Sequence, residues 1–242
     1  MTTAAVLSTA TDSPAPAAGR LLSRLLAGAP ELVLNHHQHP DRQQVENYIA
    51  GKFADEHNAQ ISHFMPLLLT VSCLKKYSAA VGLRTANDKL FVDHYLPEGA
   101  FAAVQALDSN KQLHRQQVVE IGNLVSTQRG SSQLLFIILT SLLHKAGAEW
   151  VIFTATRQVQ QLLVRLNLPT ISLCTAEKSR LGDQGEHWGS YYDNQPEVMA
   201  IKVDDAFYTL IDNRFARIIM QQYQHTTATL AHSFRAAQFT GV

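Results

Sequence analysis

Residues 118–155 constrain the fold more than any other part of the chain. They begin with an apolar run, continue through a Gly/Ser-rich turn and then include residues 131–146, which as a helix would be apolar on nearly every side. A helix with that pattern is buried on every side, and a second apolar run at residues 149–155 follows it. A strand, a crossover helix and a second strand place the two strands parallel. The sequence therefore predicts an α/β fold.

Upstream of this unit the sequence predicts a helix and a hairpin. Asp41 is an N-cap candidate for a helix with Val45, Ile49 and Phe53 on its apolar side. Residues 67–74 and 78–85 then have the pattern of an antiparallel hairpin. Residues 90–96 fit either a short strand or a short helix.

Downstream, Thr156 can cap a further helix, and residues 170–174 and 198–203 are predicted strands. The fold class is thus α/β (α+β), with a mixed central sheet flanked by helices. The predicted divisions are a flexible tail at 1–30, a domain at 31–205 and a C-terminal amphipathic helix at 206–242. That helix either packs on its own domain or forms a homodimer with a second copy.

The composition of the chain gives no reason to expect nucleic acid or a membrane as a partner. The 242 residues include 20 Lys+Arg and 20 Asp+Glu, so net charge gives no reason to expect nucleic acid as a partner. The longest apolar run is 10 residues, whereas a membrane-spanning helix needs about 20. We therefore expect no membrane span and a cytoplasmic location.

Neither the cysteines nor the histidines indicate a metal site. Cys73 and Cys174 lie in apolar, strand-like runs and are expected to be buried thiols. His36, His37 and His39 cluster before Pro40 without carboxylates or cysteines at ligand spacing, so we predict a solvated loop.

The first strand of the βαβ unit carries two polar side chains, Glu120 and Asn123. In regular alternation they would point to opposite faces of the sheet. Gly122 lies between them, and an isolated glycine inside a strand often marks a β-bulge, which would change their directions. Such a bulge would also free backbone N–H groups at residues 123–125.

The turn after this strand feeds the N-terminus of the buried helix. Backbone N–H groups at such a position can bind a phosphate or an oxyanion. An ordinary βα connection without a ligand remains the alternative. The sequence Thr127-Gln-Arg-Gly130-Ser-Ser132 resembles the Gln/Arg-x-x-Gly-x-Gly/Ala turn of GNAT-type acyltransferases, with the middle glycine kept and both flanking positions changed.

In the GNAT fold the bulged fourth strand supplies amides and the following turn holds the pyrophosphate of coenzyme A. The order of elements here is similar to that layout, so the resemblance implies a GNAT-like acyltransferase domain at residues 31–205. Because the turn departs from the family pattern, the implied acyl donor is either acyl-CoA or acyl carrier protein (acyl-ACP).

The chain also resembles the thermostable hemolysin family of bacterial proteins. The blocks that carry this resemblance extend over residues 35–205; they are Ala80-Val-Gly-Leu-Arg84, Leu90-Phe-Val-Asp-His-Tyr-Leu96, Val118-Val-Glu-Ile-Gly-Asn-Leu124, Trp150-Val-Ile-Phe-Thr-Ala-Thr156 and Trp188-Gly-Ser-Tyr-Tyr192. That family is similar to the acyl-homoserine-lactone synthases, which have a Glu at the position of Glu120 and an Arg three residues later. Asn123 replaces that Arg, so homoserine-lactone chemistry is not implied.

These resemblances imply a site. Glu120 would be the general base, with Asn123 and the amides of Leu124 and Val125 at the oxyanion. The donor phosphate would meet Arg129, Gly130, Ser131 and Ser132, and the substrate side would include Arg84, Asp93, Tyr95, Trp188, Tyr191 and Tyr192. The alternatives are a structural Glu120 paired with Arg84 or Arg129, a solvated Arg129, and aromatic residues that only close the edge of the core.

The implied function is transfer of a long acyl group from a thioester to a small amine acceptor, with no metal cofactor. A non-catalytic module that binds acyl thioesters or lipids, and an interaction protein acting through the C-terminal helix, are the competing interpretations.

Overall fold

The computed structural model describes residues 5–7, 30–127 and 130–239. Within them a seven-strand mixed sheet has the order β2-β3-β4-β5-β6-β8-β7, and an eighth short strand, β1, pairs with β5. The strands are β1 (Ala5–Leu7), β2 (Glu31–Asn35), β3 (Leu67–Cys73), β4 (Lys76–Thr85), β5 (Val118–Ser126), β6 (Trp150–Ala155), β7 (Ile171–Thr175) and β8 (Glu197–Lys202).

Helices cover both faces of this sheet, which confirms the predicted fold class. They are α1 (Arg42–His57), α2 (Ala100–Leu107), α3 (Ser131–Ala146), α4 (Arg157–Arg165), α5 (Val203–Asp212), α6 (Arg214–Gln222) and α7 (Gln224–Phe239). Short 3-10 segments occur at Phe91–His94, Arg115–Gln117 and Tyr191–Asn194, and two more occupy Lys178–Trp188 on either side of the non-helical Gly182.

The predicted βαβ unit is present, and β5 and β6 are parallel neighbours joined through α3. Its nine inner residues make α3 the most buried helix, and Gly147 ends it in the left-handed region at φ 81°. The strand pair β3–β4 forms the predicted antiparallel hairpin. Residues 90–96 were predicted to be either a short strand or a short helix. They contain the 3-10 segment Phe91–His94.

Two elements were missed by the sequence analysis. Strand β2 lies at the edge of the sheet and pairs only with β3. Its five residues are too few to show a clear alternation of apolar and polar side chains. Helix α2 has eight residues, too few to establish a helical period. The predicted caps are also only partly correct, because Asp41 and Thr156 precede α1 and α4 without a side-chain hydrogen bond to either helix.

The prediction of one amphipathic helix at residues 206–242 is wrong, because the described part of that range contains the end of α5 and all of α6 and α7. Asn213 interrupts the helix with an extended ψ of 114°, and its side chain accepts hydrogen bonds from the amides of Phe215 and Ala216. All three helices contact α3. Their apolar faces are therefore buried in this chain's own core, and the homodimer stays a prediction.

The flexible tail predicted at residues 1–30 also needs a correction. Ala5, Val6 and Leu7 form β1, which runs parallel to β5 with partners Leu124, Val125 and Ser126. Residues 1–4 and 8–29 lie outside the described residues.

Candidate functional site

A β-bulge lies in the middle of β5. The register with β4 shifts between Ala80 and Gly82, whose partners are Val125 and Gly122. Asn123 adopts a left-handed φ of 48°, so the bulge residue is Asn123, one position after the glycine that predicted it. Non-glycine residues accept this conformation only at a cost, and Asn is among those that accept it best.

The bulge brings Glu120 and Asn123 to one side of the sheet, where regular alternation would separate them. The Asn123 Oδ1 accepts a hydrogen bond from the amide of Met65 at 2.9 Å. The Glu120 carboxylate meets the amides of Phe91 and Val92, which belong to the same core cluster as Met65.

Gly82 is required for this arrangement, although the sequence analysis gave it no role. A Cβ atom at Gly82 would lie 2.8 Å from the Met65 Cβ and 2.9 Å from the Asn123 Oδ1. The glycine therefore lets the chain before β3 approach the bulge closely. Met65 is distant in sequence and apolar, so no local signal marked it.

Glu120 is fully buried and has two backbone donors. Its Oε2 accepts from the Phe91 amide and its Oε1 from the Val92 amide, both at 2.9 Å. Burial raises the pKa of Glu120 to about 7, while the Phe91 amide, the Arg84 charge and the Val92 amide act in the opposite direction. A carboxyl group with such a pKa exists in both protonation states near neutral pH.

Arg84 faces Glu120 across the β4–β5 ladder, since the two are Cα partners. Its Nη1 donates to the Lys89 carbonyl at 3.0 Å. The hydrogen bonds of Glu120 thus come from the 3-10 segment Phe91–His94, and Arg84 contributes through its charge.

Asp93 and Tyr95 lie next to this segment and are occupied by internal hydrogen bonds. Asp93 accepts from the amides of Leu90 and Ala100, at 2.9 and 2.8 Å. The Tyr95 and Tyr192 hydroxyls are hydrogen-bonded to each other. Burial raises the pKa of both tyrosines, so both phenols stay protonated.

Trp188, Tyr191 and Tyr192 are all buried. The Trp188 ring packs 5.6 Å from Phe91 and 6.1 Å from Phe53, measured between ring centroids. The structure favours the interpretation that these rings close the edge of the core, over a cover that opens to solvent.

The start of α3 forms the other end of the site. Gly130 has a φ of 86° and precedes Ser131, the first helical residue, with Ser132 next. The first amides of a helix have no partner inside the helix and favour negative charge. Gln128 and the predicted phosphate contact Arg129 lie outside the described residues.

Between the bulge and α3, strands β5 and β6 diverge. Their pairing ends at Ile121 and Phe153, although both strands continue. At this end of β6 the buried Thr154 and Thr156 hydroxyls have no hydrogen-bond partner among the described residues.

An apolar slot opens beside the last β5–β6 pair, on the α3 side of the sheet. The space inside it that a water molecule could reach is about 20 Å³. The residues that line it include Ile121, Phe136, Leu139, Phe153, Ile201 and Ala206. None of the lining residues was predicted to contact substrate, because they come from five separate elements.

Comparison with known proteins identifies the family. The family model described as "Thermostable hemolysin" matches residues 35–207. The chain belongs to the thermostable hemolysin family. The predicted resemblance is thereby confirmed. No curated protein matches this member of the family in sequence.

Solved structures show which fold this hemolysin-family chain shares. The acyl-homoserine-lactone (AHL) synthase LasI aligns with a TM-score of 0.53 and 10% identity, over 75% of this chain and 95% of LasI. The CoA-dependent acyl-homoserine lactone synthase BjaI, solved with SAM and isopentyl-CoA, aligns with a TM-score of 0.52 and 6% identity, over 80% of this chain and 89% of BjaI. The fold is therefore that of the GNAT-like acyl-homoserine-lactone synthases.

Two further findings concern residues 5–7, 30–127 and 130–239 alone. They contain no cluster of three or more His, Cys, Asp or Glu side chains placed to hold a metal ion. They also contain no helix with the length and apolar character needed to cross a membrane.

Proposed function

We propose that this protein transfers an acyl group from an acyl thioester, either acyl-CoA or acyl-ACP, to an amine. The observation that carries the proposal is the bulge at Asn123 beside the divergence of β5 and β6. A bulge interrupts the ladder, so amides at residues 123–125 can serve a ligand. Amides aimed at a tetrahedral oxyanion are the main electrostatic contribution to acyl transfer.

The phosphate of the donor would bind at the start of α3. Gly130 has the left-handed backbone that the turn needs, and the amides of Ser131 and Ser132 stand at the positive end of the helix. Arg129 would add a charge that suits a phosphate. BjaI, whose fold is similar, was solved with isopentyl-CoA, which supports a CoA-type donor for this fold.

The acyl chain would enter the apolar slot. The slot begins at Ile121 and Phe153, where β5 and β6 separate, and an acyl carbonyl at the bulge would lie close to that point. At about 20 Å³ the slot has room for roughly one water molecule, so its lining side chains would have to move to admit an acyl chain. We propose a long acyl group because the side chains that line the slot are almost all apolar.

Glu120 would be the general base that removes a proton from the amine, directly or through a water molecule. A base is most effective when its pKa lies near the working pH, and burial raises the pKa of Glu120 to about 7. Each carboxylate oxygen has two acceptor positions, so the amides of Phe91 and Val92 leave one on each oxygen.

The acceptor would approach from the Glu120 side of the sheet, where Arg84 could bind an acceptor carboxylate. Asp93, Tyr95 and Tyr192 would act indirectly, since their polar atoms already hold the 3-10 segment Phe91–His94 and the Trp188 region in place.

A second candidate is a non-catalytic protein that binds the acyl thioester without turning it over. The observation in its favour is that both Glu120 oxygens already have backbone donors inside a closed core. Mass spectrometry of ligands extracted from the purified protein separates the two functions. An acyl amine supports the enzyme, and an unmodified acyl thioester supports the binding protein.

The decisive experiment is a turnover assay with decanoyl-CoA and decanoyl-ACP as donors and a panel of amino acids and polyamines as acceptors. Release of the free thiol together with a new amide is the expected result. Thiol release without an amide would indicate only thioester hydrolysis, and no release with any acceptor would contradict the proposal.

The family description suggests lysis, which an acylated, surfactant-like product would explain. Leakage of dye from liposomes should then require both donor and acceptor. Leakage caused by the purified protein alone would contradict this explanation.

A further inference from the structure

Strand β1 occupies the backbone edge that donor binding requires. Ala5 pairs with Leu124, Val6 with Val125 and Leu7 with Ser126. Leu124 and Val125 are the residues whose amides the proposed function assigns to the acyl thioester. The structure therefore shows this stretch of β5 already paired with another segment of the same chain.

The position of β1 follows from the other pairings of β5. On one edge, β5 pairs with β4 up to Ser126, whose partner is Ala79. On the opposite edge, the pairing with β6 stops at Ile121 and Phe153. Strand β1 therefore takes the edge that β6 has left, inside the divergence, where it also contacts α4 and α1.

The donor arm has the chemistry to compete for this edge. CoA and acyl carrier protein share a pantetheine arm, which is extended and contains two amide groups. An extended chain with amides can add to an exposed strand edge through backbone hydrogen bonds, as peptides do. Each backbone N–H and C=O of Leu124–Ser126 that pairs with β1 is withdrawn from such a ligand.

We propose that β1 is a displaceable strand that closes the donor cleft, so that the pantetheine arm of the acyl donor must replace it. This inference rests on the proposed function. A three-residue strand joined to a single neighbour is among the least stable parts of a sheet, so exchange with a ligand is feasible. The apparent affinity for the donor is reduced by the fraction of molecules in which the edge is free.

The buried hydroxyls of Thr154 and Thr156 are consistent with this exchange. They lie at the end of β6 that borders the divergence, and they have no hydrogen-bond partner among the described residues. Buried hydroxyls are normally satisfied, and the amides of a bound arm would provide partners.

The experiment uses the full chain with two double substitutions. Val6→Pro with Leu7→Pro removes the backbone N–H groups of two consecutive residues. Successive N–H groups point to opposite sides of a strand, so one of the two that are lost faces β5. Val6→Thr with Leu7→Val keeps the backbone and a strand-favouring composition and is the matched control. Both pairs leave Glu120, Asn123 and Gly130 unchanged.

Two quantities are measured: hydrogen exchange of the amides at residues 124–126, and the Kd for decanoyl-pantetheine. The proline variant should exchange faster than the wild type without ligand and bind decanoyl-pantetheine about tenfold more tightly. The control should match the wild type in both. Decanoyl-CoA and decanoyl-ACP, tested in parallel, show which carrier uses the cleft.

Three results would overturn the inference, and they differ from one another. Unchanged hydrogen exchange in the proline variant would mean that β1 does not protect β5, whatever the protein binds. Faster exchange with an unchanged Kd would make β1 a structural strand and leave the proposed function intact. Faster exchange with no binding of any decanoyl thioester by either variant would remove the proposed function as well.

Discussion

Replacing Glu120 by Gln tests the energetics of the site most directly. The carboxyl group is fully buried, and its pKa rises from an ordinary value of 4.5 to about 7 because burial outweighs the Phe91 and Val92 amides and the Arg84 charge. At about 1.4 kcal/mol for each pKa unit, that rise corresponds to about 3 kcal/mol in favour of the neutral form. Gln has nearly the same shape and is always neutral, but it has one acceptor oxygen, so either the Phe91 or the Val92 amide loses its acceptor at every pH, at a cost of about 1–3 kcal/mol.

The direction of the pH effect follows from proton binding. Below pH 4.5 the folded and unfolded states both carry the proton, so Glu120 adds no pH dependence. Between pH 4.5 and about 7 only the folded state keeps the proton, so the free energy of unfolding falls as the pH rises. Above about pH 7 the loss is complete. The stability of the Glu120→Gln variant relative to the wild type should therefore rise by up to about 3 kcal/mol between pH 4.5 and pH 8.

Urea denaturation between pH 4.5 and 8, followed by tryptophan fluorescence, measures this difference. Glu98→Gln, at an exposed position, is the control and should show the same pH dependence as the wild type. A stability difference between Glu120→Gln and the wild type that does not change between pH 4.5 and pH 8, or that changes in the opposite direction, would refute the reasoning. It would show that the two amide donors outweigh burial and that Glu120 is a stably ionised structural group.

The same variant tests the proposed base. A folded Glu120→Gln protein should bind the donor and lose turnover, and the wild-type kcat/KM should rise with pH through about 7 as the carboxyl group ionises. Full turnover in the variant would assign Glu120 to holding the segment Phe91–His94 and nothing more.

Three further predictions concern glycines and the apolar slot. Gly189→Ala should destabilise the protein by about 3 kcal/mol or more in thermal unfolding, because the φ of Gly189 is 53° and an added Cβ would lie 1.9 Å from the carbonyl oxygen of His57. Gly51→Ala is the matched control in α1, where no atom lies within 4 Å of the added Cβ, and it should stabilise the protein by about 0.5–1 kcal/mol. Gly130→Ala and Gly147→Ala, at the two ends of α3 with φ of 86° and 81°, should each lose about 1–2 kcal/mol, but only Gly130→Ala should raise the KM for the donor. Ala206→Leu adds side-chain volume to the lining of the apolar slot and should lower kcat/KM for the longest acyl donors about tenfold relative to short ones, and an unchanged chain-length profile would place the acyl group elsewhere.

Much of the architecture follows from local sequence patterns. The parallel β5–α3–β6 unit, the β3–β4 hairpin and helix α1 each have a period long enough to identify them, and the structure contains all three. Short elements lacked such a period. The three-residue β1, the five-residue β2 and the eight-residue α2 form because neighbouring elements supply their hydrogen bonds and packing.

The candidate site shows the same division. Gly122 indicated a bulge, and a bulge is present, but the residue with the unusual backbone is Asn123 because Met65 and Gly82 are placed to hold its side chain. Glu120 was identified as a carboxylate in an apolar strand, and the only partners that the sequence suggested, in the alternative interpretation, were Arg84 and Arg129. Its hydrogen-bond partners are backbone amides of the segment Phe91–His94, which carry no side-chain signature.

By itself, then, the sequence determined the βαβ unit, the position of the polar residues in β5 and the glycine that begins α3, because periodicity and backbone preferences act within about one element. Only the tertiary structure decided which side Glu120 faces, which amides bind it, and that β1 lies where β5 and β6 part. Those outcomes depend on contacts between segments that are far apart in the chain. The whole fold determines which of these segments pack and form hydrogen bonds together, so no local sequence pattern indicates the partner.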